Sequence, residues 1–595
     1  MNGVVIERYG ARLVVYGDPN NEVNNADMVL FTHFRRDAIW AGRSLVERGA
    51  KAVVPFKERS FFTRGDSIWE DYSKVRFANM KNQTTKFDIK PLEVSLFVMD
   101  GEIIKWEDTE IKVMDTPGFT RGSVSYIINE DDKKFAFTGD LIYGDGKIID
   151  LYSFQDSFHD ISGYHGYATR LGQLYRSLQL IMEEKPDYII PIRGPVLTDL
   201  TSVKKLMERI QSLYSNYLSV TAYRWYYPER TEELTEYMLG KSGKVDIFPY
   251  SSVIRNDLPD WCIRFNTVWL VLSKDSSAFI MDCGSKGALE KLKQMKRSGR
   301  MKSLDGIFIT HYHFDHVSFI NEAVKEFNCP VYITSELKDI LENPSAYNMP
   351  ALFNEPVEGL TVLEEGEKML WKEYTLTFRF FPGQTLYHDA LLVEKNNGES
   401  VFFAGDSFTP SGIDDYCLMN RNFLNPGTGY FYCIDILGEL PGDVLIANQH
   451  VDPLFTFSKE QLSELTTILE ERVKILQDLF PWDNINYGLD EQWARFYPYE
   501  QNVGPGDITE VAVKVFNHSL NDETFTVKLN LPDGYDAFQD EADITAEPLS
   551  ESEKIFKVKI PKNADQGVHL ITANVKYKNW DLREWCESIL KVTVR

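Results

Sequence analysis

The chain has 595 residues, of which 43% are apolar and 13% aromatic, and its formal net charge is −25. A chain of this length exceeds a single hydrophobic core, so roughly two to four domains are expected, and the composition argues against extended disorder. The acidic surface repels phosphate backbones and excludes a broad nucleic-acid-binding face, and no apolar run is long enough to span a membrane.

The cysteines and the first residues bear on the cellular compartment. None of the six cysteines forms a CxxC pair, so neither a disulfide framework nor a thiolate zinc site is expected. The segment MNGVVIERYG lacks the basic start and apolar stretch of a secretory signal. We expect a cytoplasmic protein by default, with secretion as the alternative if a leader has been removed. The sequence determines neither the compartment nor the oligomeric state.

The first part of the chain, residues 1–205, alternates β-rich runs with helical ones. Residues 206–244 are predicted to form a helical linker. This linker contains an aromatic cluster of Tyr223, Trp225, Tyr226 and Tyr227. The cluster is either a substrate platform or part of a helix packed between two domains, and we favour packing.

The remaining sequence divides into three segments. Residues 245–480 again mix strand and helix patterns, and residues 481–505, rich in aromatics, are predicted to be a linker. Residues 506–595 read as short alternating strands, such as EVAVKVF and FTVKLNL, separated by Pro, Gly, Asn and Asp turns. That pattern is typical of a small all-β sandwich.

An internal repeat links the first part to the third. ADMVLFTHFRRDAIW corresponds to LDGIFITHYHFDHVS, and MDTPGFTRGSVSYII corresponds to RFFPGQTLYHDALLV. FAFTGDLI and PDYIIPIRGP then match FFAGDSFT and GDVLIANQHV in the same order. Four corresponding blocks predict two copies of one fold.

Histidines and carboxylates cluster in the second copy. His311, His313, Asp315 and His316 follow the apolar strand GIFIT directly. In extended backbone, residues 311, 313 and 315 point to one side, so their side chains can converge. Imidazole nitrogens and carboxylate oxygens suit borderline to hard divalent ions. These residues therefore predict a metal centre.

The motif HYHFDH resembles the HxHxDH signature of the metallo-β-lactamase superfamily. Asp282 in MDCGS, Asp406 in AGD and His450 in NQH are similar to the family's remaining blocks, with Asp406 as the bridging carboxylate and His450 as the last histidine ligand. The resemblance covers residues 245–480 and implies an α/β fold, an αββα sandwich with metals at one sheet edge. The terminal sandwich resembles an immunoglobulin-like module.

One position departs from the family pattern. The family motif PGHTxGH reads PGQTLYH here, so Gln384 occupies the usual histidine position and His388 follows. Three outcomes are open: His388 replaces the ligand, Gln384 binds weakly, or only the second metal site fills. We favour His388 as a ligand, with a hydrogen-bonding role beside the ligands as the alternative.

The first copy lacks most of the metal ligands. It keeps His33, Asp37 and Asp140, whereas Arg35, Ala38, Phe119 and Arg193 stand where histidines are expected. Guanidinium groups cannot bind a cation, so Arg35 and Arg193 are predicted to form internal ion pairs with Asp37 and Asp140. We expect a degenerate copy without catalysis, with an anion-binding pocket as the alternative.

The favoured function is hydrolysis of an ester, lactone, amide or phosphoester by a metal-activated water, with Asp315 orienting the water and taking its proton. The cofactor is one or two divalent ions, most consistent with zinc, with manganese or iron as alternatives. Tyr416, Asn420 and Arg421 lie in a long insertion after Asp406 and are candidates for binding a small-molecule substrate.

Other functions are less favoured. A non-catalytic binding or scaffold protein with a structural or vestigial metal site is the main alternative. No Gly-rich phosphate loop accompanies the metal motif, which disfavours a flavin-dependent iron oxidoreductase.

Overall fold

The computed structural model describes the chain with five short gaps. The described residues are 1–77, 84–156, 167–240, 243–251, 253–442 and 444–593. They form two compact units, one from the described residues of 1–76, 84–213 and 474–593, the other from Phe77 and the described residues of 214–473. No helix among the described residues has the length and apolarity needed to cross a membrane.

Residues 1–205 build two five-stranded sheets, with strand orders β1-β2-β3-β4-β5 and β10-β9-β8-β7-β6. The strands are β1 Val4–Arg8, β2 Ala11–Val15, β3 Met28–Leu30, β4 Lys51–Pro55, β5 Leu96–Val98, β6 Ile103–Trp106, β7 Thr109–Asp115, β8 Val124–Glu130, β9 Lys133–Gly139 and β10 Tyr188–Pro191. The helices are α1 Arg36–Glu47, α2 Arg59–Thr63, α3 Gly65–Val75 and α4 Leu171–Glu184.

The predicted linker 206–244 is largely helical, with helices α5 Thr201–Val220, α6 Tyr223–Tyr226 and α7 Thr231–Leu239. Residues 245–480 then build a six-stranded sheet, β12-β13-β14-β15-β16-β17, and a seven-stranded sheet, β11-β25-β24-β21-β20-β19-β18. The six-stranded sheet has β12 Cys262–Phe265, β13 Val268–Leu272, β14 Ser277–Met281, β15 Ser303–Phe308, β16 Val331–Thr334 and β17 Leu360–Leu363.

The seven-stranded sheet has β11 Val253–Arg255, β18 Lys368–Trp371, β19 Tyr374–Phe380, β20 Asp389–Lys395, β21 Ser400–Phe403, β24 Leu445–Ala447 and β25 Leu454–Thr456, and a separate pair is β22 Phe408–Thr409 and β23 Gly412–Ile413. The helices are α8 Lys286–Arg297, α9 Phe314–Val317, α10 Ile320–Phe327, α11 Ser335–Glu342, α12 Gly429–Glu439 and α13 Lys459–Leu479. Ser285 caps α8 by accepting a hydrogen bond from the Ala288 amide.

Strand order and direction repeat between these two parts. In the first part β1 and β2 are antiparallel and β2, β3, β4 and β5 are parallel neighbours. The same pattern joins β13, β14, β15, β16 and β17. Likewise β10-β9-β8-β7-β6 and β24-β21-β20-β19-β18 each have one parallel pair followed by three antiparallel pairs. This agreement follows the blocks of the internal repeat.

Each part has an apolar core between its two sheets. In the first part, Val15 and Val53 of one sheet pack with Val113 and Phe137 of the other. In the second, a corresponding core includes Trp269 and Met281 from the six-stranded sheet and Leu376 and Phe403 from the seven-stranded sheet. Strands buried on both faces read as continuous apolar runs, as in SAFIM of β14. The observed fold is the mixed α/β architecture that the resemblance implies.

The terminal part is an all-β sandwich. Its four-stranded sheet has the order β26-β28-β32-β30 and its five-stranded sheet the order β27-β34-β33-β29-β31. The strands are β26 Ala494–Tyr497, β27 Glu500–Val503, β28 Ile508–Phe516, β29 Glu523–Asn530, β30 Asp536–Ala537, β31 Glu541–Ala546, β32 Glu551–Lys559, β33 Gly567–Tyr577 and β34 Trp580–Val592.

The structure differs from the predicted linker 481–505, because this segment already contributes β26 and β27 to the sandwich. β26 pairs antiparallel with β28, and β27 pairs parallel with β34. Pro498 separates two short strands that lie at the edges of different sheets, so their pairing leaves little local pattern in the sequence. The sandwich also packs on the first part, since Tyr499, Leu570 and Ile589 join a core that contains Val29.

Candidate metal centre

The predicted ligands lie where strands of both sheets end. His311 follows β15 closely, and Asp282 follows β14, the parallel neighbour of β15. In the other sheet, Asp406 follows β21 and His450 follows β24, again a parallel pair. Parallel strands end at the same edge of a sheet, so four separate sequence blocks converge there.

One possible ligand group contains His311, His313 and Asp406. One nitrogen or oxygen from each lies within 4.8 Å of the others, and all three residues are buried. His311 Nε2 is 2.9 Å from His313 Nδ1 and 3.6 Å from Asp406 Oδ2. Two imidazoles and a carboxylate at this spacing can hold a divalent ion.

A second group contains Asp315, His316 and His450. Asp315 Oδ2 is 3.3 Å from His450 Nε2 and 3.6 Å from His316 Nε2. Asp406 Oδ2 lies 3.3 Å from both of these imidazole nitrogens, so the Asp406 carboxylate lies between the two groups. The arrangement is that of two adjoining sites sharing one carboxylate.

Buried polar atoms at the site fit a bound cation. His313 Nε2, His316 Nε2 and Asp406 Oδ1 are buried without a hydrogen-bond partner among the described residues. Such atoms carry a free-energy cost unless a ligand, water or ion satisfies them. Borderline and hard divalent ions accept both imidazole and carboxylate ligands, so the donor set fits the metal that the sequence predicts.

Opposite charges control protonation in the absence of a cation. Burial opposes a charge on His450, but the carboxylates of Asp406 and Asp315 outweigh burial and raise its pKa to about 10. Burial lowers the pKa of His313 to about 4, despite the nearby Asp315 carboxylate. A cation must therefore displace a proton from His450 but not from His313 at neutral pH.

Asp282 contacts the candidate ligand His316 through the ring nitrogen that does not face the ligand groups. Its carboxylate accepts hydrogen bonds from the Thr310 amide and hydroxyl, each at 2.8 Å, and from Gln449 Nε2 at 3.0 Å. Asp282 Oδ2 is also 3.0 Å from His316 Nδ1, which leaves His316 Nε2 for the metal groups. Gly284 is needed nearby, because a Cβ there would lie 1.6 Å from the Asp315 carbonyl oxygen.

His388 lies beside the ligand groups and belongs to neither of them. Its ring stacks on that of His311, with centroids 4.8 Å apart. His388 Nε2 is 3.3 Å from both the Asp406 amide nitrogen and Ser407 Oγ, and its Nδ1 is buried without a hydrogen-bond partner among the described residues. This position matches the hydrogen-bonding alternative more closely than direct ligation, which stays a prediction.

Gln384 is held by hydrogen bonds beside the ligand groups, and its Oε1 is buried without a hydrogen-bond partner among the described residues. Its Nε2 donates a hydrogen bond to Asp414 Oδ2 at 3.3 Å, and its backbone amide donates to Ser407 Oγ at 3.2 Å. Burial, with the neighbouring Asp406 and Asp415 charges, raises the pKa of Asp414 to about 8. The glutamine thus contacts a neutral carboxylic acid at pH 7.

The predicted substrate-binding residues are all buried. Asn420 Oδ1 accepts a hydrogen bond from the Tyr312 hydroxyl at 3.3 Å, and the Asn420 side chain adjoins His313. Tyr416 is buried next to Asn420. Arg421 Nη1 donates to the Tyr387 hydroxyl at 3.4 Å. The structure therefore places Asn420 beside the candidate ligand His313, while Arg421 contacts Tyr387, which packs on Tyr312 next to His313.

Tyr226 is a site residue that the sequence analysis assigned to packing. It ends α6, and its side chain lies among Asp414, Asp406 and Asn448. Burial and the two carboxylates raise the pKa of the Tyr226 phenol well above its usual range. The aromatic cluster was the only sequence signal for this contact, and no periodicity distinguishes a site residue from a packed one.

The first copy has ion pairs where the second has ligands. Arg35 binds the Asp37 carboxylate through Nε at 2.9 Å and Nη2 at 3.0 Å, and Arg193 Nη2 is 2.7 Å from Asp37 Oδ2. Arg193 Nη1 lies 3.4 Å from Asp140 Oδ2, and His33 Nε2 lies 3.1 Å from the same atom. The predicted pairing of Arg35 and Arg193 with Asp37 and Asp140 is present.

Comparisons with known proteins found a family and several relatives that this chain resembles, and the family model matches within the second copy. Residues 263–450 match the family model of the metallo-beta-lactamase superfamily. The human acyl-coenzyme A thioesterase MBLAC2 is 30% identical over 129 residues, which cover 21% of this chain and 44% of the relative. Hydroxyacylglutathione hydrolase of Shewanella loihica is 27% identical over 245 residues, which cover 40% of this chain and 83% of the relative.

A solved structure is also similar. The beta-lactamase from Chitinophaga pinensis is 17% identical with a TM-score of 0.27, over 35% of this chain and 87% of that protein. The segment matched by the family model begins within β12 and ends on His450, so it contains every predicted metal ligand. This chain therefore carries a domain of the metallo-β-lactamase superfamily.

Proposed function

We propose that the second copy is a metal-dependent hydrolase that cleaves a thioester. The observation that carries this proposal is the pair of adjoining ligand groups joined by Asp406. Both relatives are named as hydrolases. The substrate in each name joins an acyl group to a thiol compound, coenzyme A in one and glutathione in the other. These names favour a thioester within the wider class of esters, lactones, amides and phosphoesters.

His311, His313 and Asp406 would hold one divalent ion, and Asp315, His316 and His450 another. Zinc is the proposed ion, because it takes imidazole and carboxylate together, and manganese and iron suit the same donors less specifically. When bound, such an ion supplies a water of lowered pKa and polarises a substrate oxygen.

Asp315 and His450 lie at the open side of the site. Both side chains are 37% exposed, whereas His311, His313 and His316 are buried. A substrate entering from solvent would thus meet Asp315 and His450 before the buried histidines. Asp315 Oδ2 is positioned to orient the attacking water and to accept its proton, as proposed from the sequence.

Asn420 and Tyr226 add polar groups next to the ligand residues His313 and Asp406. Asn420 adjoins His313 and presents an amide to the ligand group. The Tyr226 phenol lies near Asp406 and keeps its proton because its pKa is raised. A protonated phenol can donate a hydrogen bond to a substrate oxygen, and we propose this role for Tyr226. It adds to the three substrate-binding candidates from the sequence, Tyr416, Asn420 and Arg421.

The test combines metal content with thioester hydrolysis. Elemental analysis and thiol release from an acyl-coenzyme A and an S-acylglutathione would be measured for the unmodified protein and His311→Ala. The matched control is His569→Ala, because His569 lies in the terminal sandwich, where it contacts the Asp565 carbonyl. We expect two metal equivalents and thiol release in the unmodified protein and the control. In His311→Ala we expect the loss of at least one metal equivalent and of thiol release, because His311 belongs to one of the two ligand groups.

Two results would contradict the proposal. A protein that takes up no divalent ion after reconstitution supports the scaffold alternative. If the metal-loaded protein releases no thiol but hydrolyses another acyl or phosphoryl compound, the hydrolase assignment stands and the thioester assignment is wrong. His388→Ala in the same series separates its two roles: loss of one metal equivalent indicates a ligand, and retention indicates the hydrogen-bonding role.

A further inference from the structure

A second pocket lies in the unit formed by the first copy and the terminal sandwich. Its volume is about 170 Å³, and its walls come from α1, from the segment after β9, from the position of Arg193 and from the start of β34. Arg193 occupies the position of the last ligand histidine in the repeat. The degenerate edge of the first copy thus forms one side of a pocket, and residues of the sandwich line the other.

We propose that this pocket binds one sugar unit, either a free monosaccharide or the terminal residue of a glycan. Its volume is well below the roughly 300–1,000 Å³ of pockets for drug-sized ligands, which limits the occupant to a single small ring. No step of the proposed hydrolysis uses this pocket, so the inference does not depend on the proposed function.

Aromatic side chains form three walls. Trp40, Tyr143 and Trp580 line the pocket and are each half-buried, so part of every ring faces the cavity or solvent. Trp580 is held from behind by Trp482, with ring centroids 4.0 Å apart and planes at 26°. Tyr143 contacts Trp580 at a centroid distance of 5.6 Å. Flat rings of this kind pack against the C–H faces of a sugar ring and leave its hydroxyls free.

Planar polar groups complete the lining. Among the lining residues, Asn579 and Asp581 are exposed to solvent and Arg193 is buried. Amide, carboxylate and guanidinium groups each offer two neighbouring hydrogen-bonding atoms, which match adjacent hydroxyls of a saccharide. Arg193 Nη1 makes no hydrogen bond among the described residues, and its ion-pair partner Asp140 Oδ2 lies 3.4 Å away.

The charge balance disfavours an anion, the alternative raised by the sequence. Arg193 is neutralised by Asp37 at 2.7 Å, and Arg583 by Asp581 at 2.8 Å. The α-amino group of Met1 lines the pocket as a third cationic group, and the carboxylates of Asp140 and Asp581 lie near it. Each cationic group of the lining thus has a carboxylate beside it, which weakens its attraction for a free carboxylate or phosphate. Aromatic walls with balanced charges suit a neutral, hydroxyl-rich ring.

The experiment is a titration of the full-length protein with neutral monosaccharides, followed by tryptophan fluorescence and calorimetry. Glucose, galactose, mannose and N-acetylglucosamine would be tested, with sodium acetate and inorganic phosphate as anion probes. Affinity electrophoresis in gels containing neutral polysaccharides separates a glycan terminus from a free sugar. We expect saturable binding of at least one neutral sugar or glycan.

Trp580→Ala and Asp581→Ala test the location. Each should weaken binding at least about tenfold, which corresponds to ~1.4 kcal/mol. The control is Phe538→Ala, whose side chain is 73% exposed on the sandwich and does not line the pocket. Asp581 is an exposed lining residue, so its variant separates lost binding from any loss of folding in Trp580→Ala.

Three results would overturn the proposal. These are no saturable binding to any neutral sugar or glycan, binding of acetate or phosphate alone, and sugar binding that neither variant weakens. Thiol release by the metal centre should be unchanged in Asp581→Ala, so the outcome is distinct from that of the proposed hydrolase.

Discussion

At the residue scale, the candidate metal centre is supported by a carboxylate that belongs to neither ligand group. Asp282 contacts Thr310, Gln449 and His316 at once and so determines which nitrogen of His316 faces the cluster. Groups of this kind set the tautomer and direction of a ligating imidazole. The direction of the His316 ring, a candidate ligand, is thus determined in part by Asp282.

Asp282→Asn should weaken metal binding about 10–100-fold while leaving the fold intact, because an amide cannot accept all of these hydrogen bonds. Competition with a chromogenic chelator measures the affinity. Asp275→Asn is the matched control, since Asp275 pairs with Lys372 at the surface. Equal affinities in the two variants would contradict a positioning role for Asp282.

His450 makes stability depend on pH when the metal is removed. Its pKa of about 10 in the folded chain lies above the ~6.5 of an unfolded imidazole. The folded state therefore binds this proton more tightly, and the resulting stability is complete below about pH 6.5 and lost as pH rises toward 10. We expect the Tm of the metal-free protein to fall across this window, by less in His450→Ala. An identical decline in both proteins would contradict this assignment.

At the element scale, α1 of the first copy is tied to β34 by buried charges. Arg36 pairs with Glu587, and its Nη1 donates to the Thr85 carbonyl oxygen at 2.7 Å. Arg36 is 1% exposed and Glu587 5%. A buried pair contributes little over apolar packing, but the removal of one partner leaves an uncompensated charge.

Arg36→Ala should therefore lower the free energy of unfolding by about 3–5 kcal/mol. Arg12→Ala is the control, because Arg12 pairs with Glu7 at the surface and its loss should cost at most about 1 kcal/mol. Denaturant unfolding of the two variants measures the difference. A similar, small effect in both would show that the α1–β34 contact is dispensable.

Asp37→Asn should distinguish the role of the first copy in stability from the role of the second copy in metal binding. It leaves Arg35 and Arg193 without their shared carboxylate, so we expect a loss of stability of a few kcal/mol, roughly as for a broken buried pair. Because these arginines stand in place of metal ligands, the metal content should not change. A decrease in metal equivalents would show that the first copy takes part in metal binding.

The sequence predicted those elements that depend on a few neighbouring residues. The strand, turn and helix around His311 to His316 are encoded within a few residues, and the blocks ending at Asp406 and His450 each follow a buried strand. The contacts of Tyr226 and Gln384 could not be predicted from neighbouring residues. Tyr226 reaches the site from a helix far upstream, and the direction of the Gln384 side chain depends on Asp414. Edge strands β26 and β27 likewise depend on pairing with distant partners.

At the scale of the whole molecule, sequence order and spatial order differ. The sequence suggested separate domains, but the structure groups the first copy and the terminal sandwich in one compact unit. The resemblance located the second copy, because its motifs are contiguous blocks. The grouping was not predictable, because it depends on apolar contacts between residues such as Val29 and Ile589, at opposite ends of the chain.

This shared core has a consequence for synthesis on the ribosome. The sheet face that includes Val29 and Val54 emerges early, whereas Leu570 and Ile589, which cover it, are translated last. At about 5–20 residues per second, the interval lasts on the order of tens of seconds. During that time the nascent chain displays an uncovered apolar surface, so a chaperone that shields it should raise the yield of folded protein.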